Sequence, residues 1–299
     1  MRKDDCSLEA EQLHEIKHRA SLLLNKADAI GRYPTPVDEI VEVAGLLIER
    51  EATLDRHWIG RMFNKMPERV KIAADKLFGV LDIADRRIHL AQDIHANKQT
   101  FVKLHETGHD FLPHQRNLFE IIADGAHELD PFTQDLFERE ANNFACEVLF
   151  QLDGFARDAR DSAFGLRSAL QLSKRYGASV YSSMRRYVTT SSRACGVLVF
   201  DEPEYGEDAT CTLQLRRWIP SPKLVRTVGE LRWKDVYGPD ELFTGLVPYN
   251  RFTRPRRFQL NGGICSHTCV VEVFNSTFEL FYLICLESDL KSAELQSIH

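Results

Sequence analysis

The sequence lacks any apolar run of the roughly 20 residues that a membrane-spanning helix requires. Its first residues, MRKDDCSLEAEQLHEIKHRA, also lack the apolar core of a secretory signal peptide. The seven cysteines are odd in number and follow no paired spacing, so the sequence shows no disulfide framework. We therefore expect a cytoplasmic protein with reduced thiols and no membrane contact.

The sequence also has no excess of positive charge, because it contains 38 Lys and Arg residues and 44 Asp and Glu residues. The net charge of -6 argues against nucleic-acid binding over the whole surface. Hydrophobic residues make up 43% of the chain and charged residues 27%, as in ordinary globular proteins. At 299 residues the chain exceeds the usual size of one domain, which predicts two or three.

The N-terminal half combines helical and strand patterns. Apolar residues at helical spacing predict a helix within residues 7–30, and residues 34–51 predict a short helix that leads into a strand. Two apolar stretches within residues 78–92 predict a β-hairpin with a short loop. Further helices are predicted at 98–112 and 130–150, with a looser connection between them.

The C-terminal part has a different pattern. Residues 166–187 predict two short helices joined at Gly177, which is typical of a helix-turn-helix segment. From Cys195 onwards, apolar runs alternate with Gly, Pro, Asn and Asp clusters and predict a β-rich region. These patterns together predict an α+β protein with a domain boundary near residue 190.

The stretch KLHETGHDFL, residues 103–112, contains His105, Glu106 and His109 in the order H-E-x-x-H. Residues four positions apart on a helix share one face and lie about 6 Å from each other, so both imidazoles can bind one metal ion. Glu106 lies on the neighbouring arc, where it can take a proton from a metal-bound water without being a ligand. The motif therefore predicts a metal-dependent hydrolase.

A catalytic zinc site needs three protein ligands and one open position. The helix predicted at 130–150 offers Glu138, and Asn142 one turn later can reach the outer nitrogen of a ligating histidine. Glu140 is the competing third ligand, rotated about 200° from Glu138 around the helix. A ligand set of two nitrogens and one oxygen favours Zn²⁺, with Mn²⁺ as the alternative ion.

The sequence resembles the ImmA/IrrE-type zinc metallopeptidases, whose pattern is H-E-x-G-H followed by E-x-E-A-N-x-F-A. HETGH and the downstream FEREANNFACEVLF carry this resemblance, and similar segments extend over about residues 10–190. Thr107 departs from the pattern, because family members usually have an aliphatic residue there. Motif and order agree together, which is far more specific than H-E-x-x-H alone.

The resemblance implies that His105, His109 and Glu138 are zinc ligands and that Glu106 is the general base. It also implies a zincin-like metallopeptidase domain at 1–150, a helix-turn-helix-like segment at 151–190 and a β-rich sensor or regulatory domain, GAF-like in some relatives, at 191–299. Family members typically cleave a helix-turn-helix transcriptional repressor and so derepress stress or mobile-element genes. A metallo-endopeptidase with a repressor as its protein substrate is thus expected.

The alternative is a non-enzymatic regulator that binds a protein partner or DNA and keeps only a structural or vestigial metal site. The helix-turn-helix-like segment carries basic residues, although such a segment also packs as a plain helical lid. An intact Glu106 favours the enzyme, because a structural zinc site is closed and needs no base.

Several other polar residues are predicted to have no role in catalysis. Surface or loop positions are expected for four histidines: His89, His95, His114 and His127. Cys265, His267 and Cys269 lack the second half of a metal site and are predicted to be strand and loop. The basic stretch RFTRPRRF at 251–258 contains Pro255 and is predicted to be a solvated loop.

Overall fold

The computed structural model describes most of the chain. The described residues are 7–49, 79–82, 85–90, 96–124, 129–206, 210–239, 241–248, 251–262 and 265–295. The chain divides into two compact units. The motif unit comprises Asp5–Gly154 with Lys174–Ser179, and the sheet unit comprises Phe155–Ser173 with Val180–His299. The division into three domains at residues 150 and 190 stays a prediction.

The motif unit combines helices with a small sheet. Its helices are α1 (Ala10–Lys26), α2 (Val37–Val43), α3 (Ala96–Phe111), α4 (Pro113–Asp124) and α5 (Pro131–Leu149). Its strands are β1 (Leu47–Glu49), β2 (Gly79–Asp82) and β3 (Arg87–Leu90). The sheet order is β1-β3-β2, in which β1 runs parallel and β2 antiparallel to β3. The predicted first helix, hairpin and two motif helices are confirmed.

The looser connection predicted between α3 and α5 is wrong for residues 113–124, where the structure has helix α4. Pro113 explains both the end of α3 and the start of α4. Proline cannot continue a helix, but its fixed φ and missing N–H suit the first helical position. Asp130 begins α5 in the predicted manner, since its side chain accepts hydrogen bonds from the N–H groups of Phe132 and Thr133.

Helices α3 and α5 approach each other closely at Gly108. A Cβ atom added there would lie 3.2 Å from the Cα of Ala141 and 3.2 Å from a ring carbon of Phe144. Glycine and alanine thus allow the two backbones to come together. The H-E-x-x-H motif includes Gly108 and so lies at this contact on α3. The contact therefore fixes where the side chains of the motif lie along α5.

A partly buried ion pair attaches α3 to the hairpin. The guanidinium of Arg86 donates to the carboxylate of Asp110 at 2.9 Å, and the Asp110 side chain is only 3% exposed. Arg86 also donates to the carbonyl oxygens of Ala44 and Gly45 after α2. One cation therefore holds the hairpin turn, the end of α2 and the motif helix together.

The sheet unit is built around a curled antiparallel sheet. The strands are β4 (Cys195–Asp201), β5 (Glu204–Tyr205), β6 (Cys211–Pro220), β7 (Val236–Tyr237), β8 (Arg256–Gly262), β9 (Cys265–Asn275) and β10 (Glu279–Leu286). The order is β5-β6-β4-β10-β9-β8, with β7 paired to β6. Aromatic rings of Phe200, Phe243 and Tyr282 lie in its core. The α+β class and the β-rich C-terminal part are confirmed.

Short helices complete the C-terminal part: α6 (Gly154–Asp161), α7 (Leu166–Tyr176), α8 (Val180–Thr189), α9 (Pro222–Val228) and α10 (Ser292–Leu295). Helices α7 and α8 are the predicted helix pair, joined where Gly177 adopts a φ of +71°. No helix among the described residues has the length and the apolar composition to cross a bilayer.

Predictions about three minor features need correction. The basic stretch at 251–258 is not loop throughout, because β8 begins at Arg256 and pairs with β9. Residues 265–269 lie wholly within β9 and contain no loop. His89 was expected at a surface or loop position but is half-buried on β3, whereas His114 is exposed on α4, a surface position as expected. His95 and His127 lie outside the described residues.

Gly108→Ala should destabilise the motif unit. Overpacking against the backbone of α5 costs about 1–3 kcal/mol, which exceeds the gain of about 1 kcal/mol in helix propensity. The midpoint of thermal unfolding should fall by about 2–4 °C per kcal/mol of net loss. Gly245→Ala is the control, because a Cβ there meets nothing within 4 Å. An equal midpoint for both variants would show that the close contact does not constrain the helices.

Candidate metal centre

Two imidazoles and one carboxylate converge between α3 and α5. The Nε2 atoms of His105 and His109 lie 3.1 Å apart. The carboxylate oxygens of Glu138 lie 3.3 Å from Nε2 of His105 and 3.5 Å from Nε2 of His109. Ligands on tetrahedral bonds of about 2.0–2.1 Å stand roughly 3.3 Å apart. The three groups therefore have the mutual spacing of ligands to a single small cation.

Amide side chains fix the orientation of both imidazole rings. Nδ1 of His105 lies 3.1 Å from Oδ1 of Asn142, and Nδ1 of His109 lies 2.7 Å from Oε1 of Gln115. An amide oxygen only accepts, so each Nδ1 must be the donor. In the neutral rings the lone pair is then on Nε2, and both Nε2 atoms face Glu138. The predicted contact of Asn142 with the outer nitrogen of a histidine is confirmed.

The amide of Gln115 can adopt only one orientation. Its Nε2 donates to the carboxylate of Glu140 at 2.7 Å and to the carbonyl of Phe137 at 3.2 Å, and both of these groups are acceptors. The oxygen must therefore point at His109. Gln115 is fully buried on α4, so the missed helix carries a residue of the site. Pro113, as a helix-starting residue, was the signal in the sequence that would have found it.

Glu140 lies on a different side of α5 from Glu138, whose carboxylate faces the two histidines. Besides the bond from Gln115, its carboxylate accepts a hydrogen bond of 2.6 Å from Nε2 of His114. The side chain is buried, and both donors come from α4. The structure thus brings Glu138, and not Glu140, to the Nε2 atoms of the histidines.

Glu106 lies beside the pair of histidines without belonging to the three converging groups. The residue is only 5% exposed, yet its carboxylate makes no hydrogen bond or ion pair within the described part of the chain. Buried carboxylates are ordinarily paired, because burial without a partner is costly. A carboxylate in this state is available to a water molecule or to a substrate.

The charges of the centre favour a cation. Burial alone would lower the pKa of His109, but Glu138 and Glu106 raise it above the ordinary value. Burial would likewise raise the pKa of Glu138, but hydrogen bonds from His105 and His109 hold it well below the usual range. Both shifts express the same fact, namely that positive charge between the carboxylates and the imidazoles is stabilised.

Residues 66–186 match the family Peptidase_M78, described as an IrrE N-terminal-like domain. The match includes the histidine pair, Glu106 and Glu138. This part of the chain is similar to the ImmA/IrrE-type family. The family includes both metallopeptidases and regulators. The resemblance carried by HETGH and its downstream helix is thereby confirmed.

A solved structure with the same fold is that of a Mycobacterium tuberculosis transcriptional regulator. The TM-score is 0.52 at 11% sequence identity, and the match covers 95% of this chain and 78% of that chain. At such low identity the likeness concerns the fold alone. No curated protein shows a significant match.

Thr107 replaces the aliphatic residue usual in the ImmA/IrrE-type family at no cost in hydrogen bonding. Its side chain is fully buried, and Oγ1 donates to the carbonyl oxygen of Lys103 one turn earlier at 2.7 Å. The departure from the family pattern is therefore absorbed within α3 and leaves the neighbouring histidine pair in place.

Gln115→Leu should weaken metal binding without removing a ligand. The substitution leaves Nδ1 of His109 without its acceptor, and loss of such an orienting partner typically costs 10–100-fold in metal affinity. Zn²⁺ affinity is measured by competition with a chelating dye, and folding is checked by circular dichroism. Gln171→Leu, at an exposed glutamine on α7, is the control. Equal affinity in both variants would show that Gln115 does not orient the ring.

Proposed function

We propose that the protein is a zinc-dependent endopeptidase of the ImmA/IrrE type that cleaves a helix-turn-helix transcriptional repressor and thereby derepresses stress or mobile-element genes. The proposal that the protein is an enzyme rests on the carboxylate of Glu106. Its carboxylate is buried beside two imidazoles with fixed tautomers and has no partner of its own among the described residues. The repressor as substrate rests on the family resemblance.

The donor set fits a catalytic metal ion. His105, His109 and Glu138 supply two nitrogens and one oxygen, whereas structural zinc sites are closed by four protein ligands. Zn²⁺ suits this set, and Mn²⁺ is the second candidate. When bound, a divalent ion of this kind lowers the pKa of water and polarises a peptide carbonyl.

Glu106 acts on the proton in this proposal. Its carboxylate accepts a proton from the water that attacks the peptide carbonyl carbon, and it then gives that proton to the leaving amine nitrogen. Burial of Glu106 favours both steps, since little competing solvent surrounds the side chain. Asn142 and Gln115 serve the reaction indirectly, because each keeps one imidazole oriented.

The second candidate is a regulator that binds a protein or DNA without cleaving it. The family includes regulators, and the Mycobacterium tuberculosis protein of the same fold bears the name of a transcriptional regulator. A regulator of this kind requires an intact fold, but it does not require the carboxylate of Glu106. Substitution of that residue therefore separates the two candidates.

Substitution of the proposed ligands should remove the metal. The double variant His105→Ala with His109→Ala should lose nearly all bound Zn²⁺ in elemental analysis, because a single carboxylate remains. Glu138→Ala should reduce the metal content more than Glu140→Ala. The carboxylate of Glu140 accepts hydrogen bonds from Gln115 and His114 and does not face the Nε2 atoms of the histidine pair. The opposite order would make Glu140 the third ligand.

Glu106→Gln should abolish cleavage and spare the metal. The amide keeps the size of the side chain but cannot accept the proton, and general-base catalysis contributes about 10²–10⁴-fold. Cleavage of a candidate repressor encoded near the gene is followed by gel electrophoresis, with metal content measured in parallel. Cleavage at the wild-type rate would exclude Glu106 as the base. Derepression by both proteins with intact repressor would establish the binding regulator.

A further inference from the structure

The sheet unit contains a cavity that the proposed peptidase chemistry does not use. Its volume is about 470 Å³, and its lining comes from α6, the end of α8, α9 and the turn after β10. Sites for small organic molecules commonly measure about 300–1,000 Å³. The cavity is therefore large enough for a metabolite rather than for a single ion or water.

Cationic side chains outnumber acidic ones in the lining. They are Arg160, Arg193, Lys223 and Lys291, and the lining contains a single acidic residue, Asp289. Arg193 forms a two-point ion pair with Glu294 at 2.6 and 2.9 Å, and Lys223 pairs with Asp289 at 2.8 Å. The side chains of Arg160 and Lys291 have no ion pair within the described residues. Two solvent-exposed positive charges thus remain uncompensated by carboxylates among the described residues.

The two carboxylates near the cavity, Asp289 and Glu294, already accept hydrogen bonds from protein donors. Glu294 also accepts hydrogen bonds from the backbone N–H groups of Phe164 and Lys291. Asp289 accepts one from the backbone N–H of Ala194. Each carboxylate is thus bound by one paired cation and by backbone donors. Neither carboxylate forms an ion pair with the side chain of Arg160 or Lys291.

The cavity also offers hydrogen-bond donors beside an apolar surface. Tyr187 is 3% exposed, and its hydroxyl accepts the N–H of Gly165 at 3.1 Å, but its own hydrogen has no acceptor within the described residues. Burial raises the pKa of Tyr187, so the hydroxyl keeps that hydrogen. The ring stacks with Phe164 at a centroid distance of 5.6 Å. The exposed hydroxyls of Ser192 and Ser288 also line the cavity.

We propose that this cavity binds a small phosphomonoester, with its phosphate on Arg160 and Lys291 and its organic part against Phe164 and Tyr187. A phosphomonoester carries about -1.5 to -2 charges at pH 7, which matches the two uncompensated cations. Arginine suits phosphate oxygens in particular, because its guanidinium donates two parallel hydrogen bonds. Phosphate alone would leave most of the volume unfilled. The proposal is independent of the metal centre.

The test is isothermal titration calorimetry on the full chain with AMP, ribose 5-phosphate, adenosine and inorganic phosphate. Binding is expected for AMP or ribose 5-phosphate, at least about tenfold weaker for inorganic phosphate, and none for adenosine, since charged hydrogen bonds dominate. No binding of either phosphomonoester at millimolar concentration would overturn the proposal. Adenosine bound as tightly as AMP would overturn phosphate recognition, and inorganic phosphate bound as tightly as both esters would overturn the organic subsite.

A pair of charge variants locates the site. Arg160→Gln with Lys291→Gln should weaken phosphomonoester binding at least about tenfold, because it removes both uncompensated cations. Arg157→Gln with Arg226→Gln removes the same charge from exposed positions outside the lining and should leave binding unchanged. Equal weakening in the two double variants would show a general charge effect and overturn the assignment to this cavity.

Discussion

The close contact of α3 with α5 is the constraint on which the candidate centre depends. A carboxylate on one helix can share a cation with two imidazoles on the other only when the backbones come near each other. Gly108 permits this, since any side chain there would meet the backbone at Ala141. The glycine in HETGH therefore allows the two helices to approach. This approach brings together the possible metal-binding groups of His105, His109 and Glu138.

Proximity alone would not make a site, because an imidazole can present either nitrogen. The amide oxygen of Asn142 accepts from Nδ1 of His105, and that of Gln115 accepts from Nδ1 of His109. In each neutral ring the free lone pair is therefore on Nε2. Gln115 is in turn held by Glu140, which is held by His114. Helix α4 thus contributes no proposed ligand and yet determines how His109 points. Loss of such an orienting partner typically costs 10–100-fold in metal affinity.

The sequence predicted the parts of the centre that depend on helical spacing. His105 and His109 lie on one periodic helix and Glu138 and Asn142 on another, so the four-residue spacing was enough to place each pair on one face of its helix. That the two faces meet was predicted from the need of zinc for a third ligand. Gln115 could not be found in this way. It follows Pro113, which ends one helix and begins the next, and a pattern interrupted by proline was interpreted as an irregular connection. Its contact with Glu140 also spans 25 positions, a distance that no local pattern reports.

Strand β8 escaped prediction for a related reason. The stretch at 251–258 is rich in arginine and contains Pro255, which favours a loop when the segment is considered alone. In the fold, Arg256 and the residues after it pair with β9, and the neighbouring strand supplies the hydrogen bonds that favour the extended form. Edge strands of this kind tolerate arginine well, since charged side chains at an edge oppose pairing with further strands.

The raised pKa values of two buried thiols in the sheet unit argue against a role of these thiols in metal binding or nucleophilic attack. Burial raises the pKa of Cys195 to about 11 and that of Cys269 to about 12. Metal binding and nucleophilic attack both require the thiolate, which groups with such pKa values rarely form near neutral pH. These two cysteines therefore act as small apolar residues in the sheet. The proposed recognition in the sheet unit therefore rests on the cations and hydroxyls of the cavity and not on a thiol.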